Sequence, residues 1–382
     1  MKIKMLTVTH TSSLYGANKS LLNLIDGLMK KNVEIVVLCM KKGPLIQELT
    51  KRNIEYHIYP YIWDFYKENE RENTKVPKRC IKNWLEAIKN LSSFRKINPD
   101  IIHSNSSVIN FGAYLSYLMG KPHIWHIREF GYDDFELLPE RGEKHFHKWI
   151  KKAFIISISD SVEKKRFSKI PEANKNVIYN GVYSEEFINS IPENDRTNRK
   201  LFRFAIIGQL SPKKNQLEAL KAFKLLTDQR KNVELFIIGD YGDKYQSELN
   251  NFIQKYSLKN QVTLPGYIKD IESIFRDTDC LLMCSQKEGM GRVTAEAMAH
   301  GVPVIGKSTG GTVELIDHNV NGFLYGNGIP EMVTYMKQLV DNKGLKEQMG
   351  RSARKKALEM FTIERCSEKF YNKICEIVNS KI

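Results

Sequence analysis

Short apolar runs alternate with longer amphipathic stretches from the first residues onward. Ile3–Thr9, Val33–Leu38, Ile54–Ile58, Asp100–His103, His123–Ile127, Phe154–Ile158 and Val177–Tyr179 are short and rich in Ile and Val, and read as strands. Between them, apolar positions recur at helical spacing in Asn18–Lys30, Lys78–Arg95, Val108–Met119 and Glu143–Lys152. Strands without polar alternation, separated by helices, predict a parallel sheet covered on both faces. The pattern then starts again. Strands are expected over Phe202–Ile207, Val233–Ile238, Val262–Leu264, Cys280–Met283, Pro303–Ile305 and Phe323–Tyr325, with helices over Gln216–Thr227, Tyr245–Tyr256, Thr294–Ala299 and Met332–Val340. Ser184–Lys200 is polar, carries Pro192 and lacks apolar periodicity, so it reads as a linker. From about Leu345 to Val378 the pattern is helical, and it is basic around Arg351–Lys356. The expectation is an α/β chain of two Rossmann-like, doubly wound domains, 1–183 and 201–360, joined by 184–200 and followed by a C-terminal helix over 361–382. Ligands of such sheets bind beyond the carboxyl ends of the strands, which makes a cleft between the two domains the expected site.

Composition narrows the class. Of 382 residues, 42% are hydrophobic and 27% charged, ordinary globular usage that excludes a collagen, a long coiled coil or a largely disordered chain. No apolar run approaches the ~18–20 residues of a membrane span, and Met1–Thr9 is too short for a secretory signal. A cytoplasmic protein is expected. Its 59 Lys+Arg against 44 Asp+Glu leave +15, of which +11 falls in residues 1–183 and +4 in 184–382. Such a field suits nucleic acid, anionic lipid or a phosphorylated substrate, and no nucleic-acid-binding module accompanies it. Two basic stretches interleave aromatics: Lys144–Lys152 with Phe146 and Trp149, continued by Lys164-Lys165-Arg166-Phe167, and Arg79–Arg95 with Lys82, Trp84, Lys89 and Phe94. They suit either an anionic membrane surface, with the protein held peripherally at its inner face, or ordinary solvated helices whose Trp residues pack inward. The six cysteines form no CxxC pair, and Cys280 and Cys284 bracket a strand, so reduced core thiols are expected.

The sharpest chemical signal is Lys287-Glu288-Gly289-Met290-Gly291-Arg292-Val293-Thr294-Ala295-Glu296, which follows a strand and enters a helix. Gly289 and Gly291 allow close backbone approach. The amides of the following helix start suit a phosphate, and a carboxylate such as Glu288 or Glu296 suits paired sugar hydroxyls. Read alone, Glu288 is also a helix-start carboxylate favoured by the dipole. Eight helical residues separate the two glutamates by roughly 12 Å, more than the ~5–9.5 Å of a glycosidase pair, which favours separate binding roles.

Glu288-x7-Glu296 followed by Ala-Met-Ala-His-Gly-Val-Pro-Val-Ile resembles the signature of retaining GT-B glycosyltransferases of the family-four type. Gly208-Gln209-Leu210-Ser211-Pro212-Lys213-Lys214-Asn215, Val177-Ile178-Tyr179-Asn180-Gly181-Val182, Gly266-Tyr267 with Asp270, and Gly310-Gly311-Thr312-Val313-Glu314 fall in the order that family shows. The likeness is stronger over 177–325 than over 1–176. It implies a GT-B fold and transfer of a hexose-type sugar from a nucleotide diphosphate sugar to a glycan or polyprenyl-linked acceptor, in cell-surface polysaccharide synthesis. Carried over, Glu288 would hold donor-sugar hydroxyls and Glu296 the nucleotide ribose. Amides near Arg292 and Val293 would meet the diphosphate, and Lys214 would neutralise it as it leaves. Gly16, in the loop after the first strand, would lie near the phosphates, and His126 beside the reacting carbon. Each has a plainer reading: Lys214 as a solvated lysine, His126 as a core histidine, Gly16 as a turn residue. The family commonly has arginine where this chain has Gln209, a charge that Lys213, Arg292 or Arg128 would have to replace. The resemblance also implies a metal-independent reaction, so Asp277-Thr278-Asp279 is expected not to bind a metal. Two other readings share the fold: a nucleotide-sugar 2-epimerase, and a non-catalytic nucleotide-sugar-binding protein, which Gln209 keeps open.

Overall fold

The computed structural model describes residues 2–69, 78–192, 200–240 and 243–380. The chain divides into two compact units, Met1–Gly181 with Ile363–Ile382, and Val182–Thr362.

The first unit contains β1 (Ile3–Val8), β2 (Val33–Cys39), β3 (Glu55–Ile58), β4 (Phe65–Lys67), β5 (Ile101–Ser104), β6 (His123–Ile127), β7 (Leu137–Pro139), β8 (Phe154–Ser157) and β9 (Lys175–Val177). Seven of them form a parallel sheet in the order β3-β2-β1-β5-β6-β8-β9. The strand order reverses between β1 and β5, the switch point of a doubly wound sheet. β4 and β7 lie outside it as a separate antiparallel ribbon. β1 is apolar on both faces because both are covered: Met5, Leu6 and Val8 are fully buried. One cover is completed by the last helix, Ile363–Asn379, whose Cys366, Phe370, Ile374, Ile377 and Val378 join the core formed by Met5, Ile35, Leu24 and Leu28. It packs on helix Gly16–Met29 at close range, since a Cβ on Gly27 would fall 2.5 Å from the Ser367 side chain.

The second unit contains β10 (Phe202–Ile207), β11 (Val233–Ile238), β12 (Val262–Gly266), β13 (Cys280–Met283), β14 (Val304–Lys307) and β15 (Gly322–Tyr325). They form one parallel sheet, β12-β11-β10-β13-β14-β15, reversing between β10 and β13. Helices cover it, and its core runs from Phe204, Leu235 and Leu282 to Phe223, Met332 and Met336.

The α/β, doubly wound reading holds, with local corrections. The last strand of the first sheet is Lys175–Val177 rather than Val177–Tyr179. Lys78–Arg95 is two helices, Lys78–Lys89 and Leu91–Ile97, separated at Asn90, whose amide donates to both the carbonyl and the carboxylate of Glu86. The pattern over 345–378 is likewise two helices, Lys343–Met360 and Ile363–Asn379. Within the expected linker, Ser184 caps a short helix, Glu185–Ser190, that buries Ile188; residues 193–199 lie outside the described residues. The six cysteines are free thiols, and burial pushes Cys280 and Cys284 above their ordinary range. No helix among the described residues is long and apolar enough to cross a membrane.

Asp277-Thr278-Asp279 has a structural use. Both Asp279 oxygens are taken, one by the Lys346 ammonium at 2.8 Å and the other by the Arg203 amide at 2.9 Å. Asp277 faces the Arg203 guanidinium at 3.4 Å.

Candidate active site

In the second unit, Gly208 follows β10 with a φ of +151° that other residues rarely adopt, and it lies against Gly239, where a Cβ would fall 1.9 Å from the Gly208 carbonyl oxygen. Gln216, at the start of helix Gln216–Thr227 and 1% exposed, shapes the loop from beneath. Its Nε2 donates to the Gln209 carbonyl at 3.1 Å, and its Oε1 accepts from the Ser211 amide at 3.3 Å. Asn215 adopts a left-handed φ of +56° and donates to Glu218 Oε2 at 2.5 Å, a carboxylate that Lys307 also holds at 3.0 Å. Lys214 sits between the braced Ser211 and Asn215, its own amide donating to the Ser211 carbonyl at 3.0 Å. Its aliphatic stem lies back over Gly208, with Cδ 3.6 Å from a Cβ built there.

The loop after β13 meets it. The Gln286 amide donates to the Lys213 carbonyl at 3.2 Å, and Lys214 Nζ donates to Glu288 Oε2 at 2.6 Å. Glu288 is held from behind by a pair of glycines. The Gly311 amide donates to the Glu288 carbonyl at 2.7 Å; a Cβ on Gly310 would lie 2.6 Å from that oxygen, and one on Gly311 2.3 Å from the Gly289 carbonyl oxygen. Only paired glycines let the two backbones approach this closely, and Gly310 also needs its φ of +54°. Gly291, at φ +84°, then caps helix Arg292–Ala299. Arg292 Nε donates to Glu296 Oε1 at 2.7 Å, and Glu296 is 7% exposed. The amides of Arg292 and Val293 belong to the first turn of that helix, where intrahelical acceptors are lacking. The buried hydroxyls of Thr294 and Thr312 have no hydrogen-bond partner.

At the switch point of this sheet stand a fixed cation, two carboxylates in separate ion pairs and a helix start. This set can take an anionic diphosphate together with hydroxyl-rich groups. Residues 15–186 match the family described as Glycosyltransferase Family 4, and residues 188–356 that described as Glycosyl transferases group 1. The chain is a GT-B glycosyltransferase of the family-four type. It is 24% identical over 403 residues to the UDP-Gal:alpha-D-GlcNAc-diphosphoundecaprenol alpha-1,3-galactosyltransferase of Escherichia coli, covering 100% of this chain and 98% of that one. It is 24% identical over 362 residues to the capsular polysaccharide biosynthesis glycosyltransferase CapM of Staphylococcus aureus, covering 87% and 94%. Among solved structures, Anabaena Alr3699/HepE in complex with UDP superposes with a TM-score of 0.79 at 20% identity over 98% of this chain and 100% of that one, a likeness of fold.

In this glycosyltransferase Lys214 and Glu288 are in contact, as are Arg292 and Glu296, while Gln209 and Lys213 are exposed on the first loop. Gly16 and His126 belong to the first unit. Gly16 opens helix Gly16–Met29, its φ is not positive, and a Cβ there would meet nothing within 4 Å, so no turn requires glycine. The loop before it is tied by Asn18, which donates to the Thr11 and Ser13 carbonyls at 2.9 and 2.8 Å. His126 is 1% exposed, packed between the His103 and Phe370 rings with Nε2 unpartnered. Burial, reinforced by Arg128 and His103, holds its pKa well below the ordinary imidazole value, so it is neutral near pH 7. Arg128 is anchored by Asn105 and Asn180, each at 2.7 Å.

Gln216, Lys307, Asn18 and Asn105 were not singled out by sequence. The glycine pair at 310–311 was, as a family likeness, but its bracing of Glu288 was not. No local signal marks Gln216: the cap position before it is Asn215, an ordinary helix-start residue, and the burial of the glutamine shows only in the folded loop.

Proposed function

We propose that this glycosyltransferase moves a hexose from a nucleoside diphosphate sugar to a hydroxyl of a lipid-linked glycan, with retention of anomeric configuration, during cell-surface polysaccharide synthesis on the cytoplasmic side of the membrane. The observation that carries the reading is the 2.6 Å contact of Lys214 with Glu288 at the switch point of the second sheet. The names of the Escherichia coli and Staphylococcus aureus relatives, and the UDP in the Anabaena structure, support a uridine diphosphate sugar donor and a diphospholipid-linked or capsular acceptor.

In this reading Glu288 takes sugar hydroxyls, Glu296 the ribose, and the amides at Arg292 and Val293 the diphosphate. The acceptor oxygen attacks the anomeric carbon from the face the nucleotide leaves. A carbon–oxygen bond to the acceptor forms, the bond to the β-phosphate oxygen breaks, and the hydroxyl proton passes to the departing diphosphate. Lys214 stabilises the charge that develops there. No covalent enzyme intermediate and no metal enter; the carboxylates of Asp277 and Asp279 are already engaged with Arg203 and Lys346.

The test is a melting screen against nucleotide sugars, followed by incubation of the donor found with a membrane lipid extract. A ligand at 100 times its Kd adds about 2.7 kcal/mol, which shifts melting by roughly 2–4 °C per kcal/mol. The expected product is an α-linked glycan from an α-linked donor. If no nucleotide sugar shifts melting or is consumed, the reading fails; a β-linked product would sink retention alone, and a free epimer would replace transfer by epimerisation.

A further inference from the structure

The basic stretch Lys78–Lys89 presents to solvent a face different from the one its aromatics suggest. Trp84 packs edge-on against Tyr114, with ring centroids 5.3 Å apart, and Phe94 is fully buried. Outward instead point Ile81, Leu85 and Ile88, 47, 59 and 46% exposed. They stand at i, i+4 and i+7, one face of the helix, opposite the buried Cys80, Asn83 and Ala87. Lys78, Lys82 and Lys89 are exposed beside this stripe, at i−3 and i+1 from Ile81 and at i+1 from Ile88. The one carboxylate on the helix, Glu86, is engaged by Asn90.

The patch continues beyond the helix. Tyr117, 60% exposed, lies 6.0 Å from the Trp84 ring, and Lys152 Nζ sits 5.1 Å over Tyr117 and 5.3 Å over Trp149. Three aliphatic side chains, a tyrosine and a rim of lysines, on the half of the chain that carries +11, make an apolar stripe bordered by positive charge. A soluble helix gains nothing from exposing three aliphatic residues in a row. The interface of a bilayer accepts them, with the tyrosine at headgroup depth and the lysines on anionic phosphates.

We infer that the face formed by Ile81, Leu85, Ile88 and Tyr117, with Lys78, Lys82, Lys89 and Lys152, docks on an anionic lipid bilayer. Charge complementarity selects that occupant: a neutral apolar partner would leave the lysine rim without counter-charge. Docking does not depend on the transfer reaction, and either can fail alone.

The test is co-sedimentation of the full chain with vesicles of phosphatidylcholine alone or of equimolar phosphatidylcholine and phosphatidylglycerol. Binding is expected on the anionic vesicles, weakened by salt, and absent on the neutral ones. The double variant Lys82→Gln/Lys89→Gln should lower partitioning about thirtyfold, near fivefold per lysine. The triple variant Ile81→Ser/Leu85→Ser/Ile88→Ser should release the protein while its melting temperature and its transfer to a detergent-solubilised acceptor stay at wild-type level. Equal binding to both vesicles, or wild-type binding by both variants, overturns the inference. So does a triple variant that loses only a concentration-dependent self-association or a soluble protein partner, which would make the face a protein interface.

Discussion

Lys214 and Glu288, 74 residues apart in sequence, meet at 2.6 Å because their loops leave β10 and β13, adjacent strands on either side of the point where strand order reverses. In the proposed reaction the donor meets a pair whose two side chains already hold each other. The glycosyltransferase should lose about 10²–10³ in kcat when Lys214 becomes Ala, the cost of removing one oriented stabilising group. Glu288→Gln should fall comparably, with the double variant much less impaired than the product of the two. Melting should change little, since an ion pair reached by solvent at its lysine contributes about 0–1 kcal/mol. Initial-rate kinetics and a thermal melt of the same preparations check both halves; a large melting loss would mark the pair as structural.

Gly310 and Gly311 brace Glu288 through backbone contacts that admit no Cβ. Gly311→Ala should push the Glu288–Gly289 segment outward, lowering kcat/KM for the donor and stability by about 1–3 kcal/mol. Val313→Ala, at a neighbouring residue that is 41% exposed, should leave both near wild type. Donor titration with a melting curve separates these outcomes.

Asp279 and Lys346 form an ion pair whose side chains are 4 and 10% exposed. Lys346→Met removes one partner and strands the other charge, so unfolding free energy should fall by about 3–5 kcal/mol, read from urea denaturation. Turnover by the intact protein should survive a chelator, as expected if these aspartates serve structure. Activity lost on chelation and restored by a divalent ion would reverse the assignment.

Asp64 gives a pH dependence with a definite sign. Burial raises its pKa from 3.8 to about 6, although the Asn110 amide and Asn83 Nδ2 donate to it at 2.6 and 2.9 Å. The folded protein therefore keeps a proton that the unfolded chain releases. Its stabilising contribution is complete below about pH 4 and is lost as the pH climbs towards 6. Asp64→Asn keeps an acceptor and cannot ionise, so the stability profile of the variant should be flatter across that window. Parallel profiles for the two proteins would show that Asp64 does not titrate there.

What the sequence disclosed follows from how local each signal is. Gly208, Lys214, Glu288 and Gly291 were legible because a strand end, a glycine and a helix start lie within a dozen residues of one another. Lys307 and the bracing by Gly310 act on partners that only the folded sheet brings near, and Gln216, whose partners Gln209 and Ser211 are local, is marked only by its burial in the folded loop. Periodicity marked Lys78–Arg95 as amphipathic without saying which apolar side chains are covered; packing buried Phe94, set Trp84 against Tyr114 and left Ile81, Leu85 and Ile88 out. β4 and β7, three residues each, are too short for alternation to register.

The last helix constrains when the first unit can finish folding. Phe370, Ile374 and Ile377 complete a core whose earlier members, from Ile3 to Ile178, are made before the second unit. At about 5–20 residues per second, the whole second unit must emerge first, a delay of roughly 10–40 s. Through that interval the first sheet waits with its Leu24–Leu28 helix uncovered, although the second unit, contiguous from Val182 to Thr362, can close on its own. A nonsense mutation near residue 362 would leave the second unit whole and strip the cover from the first.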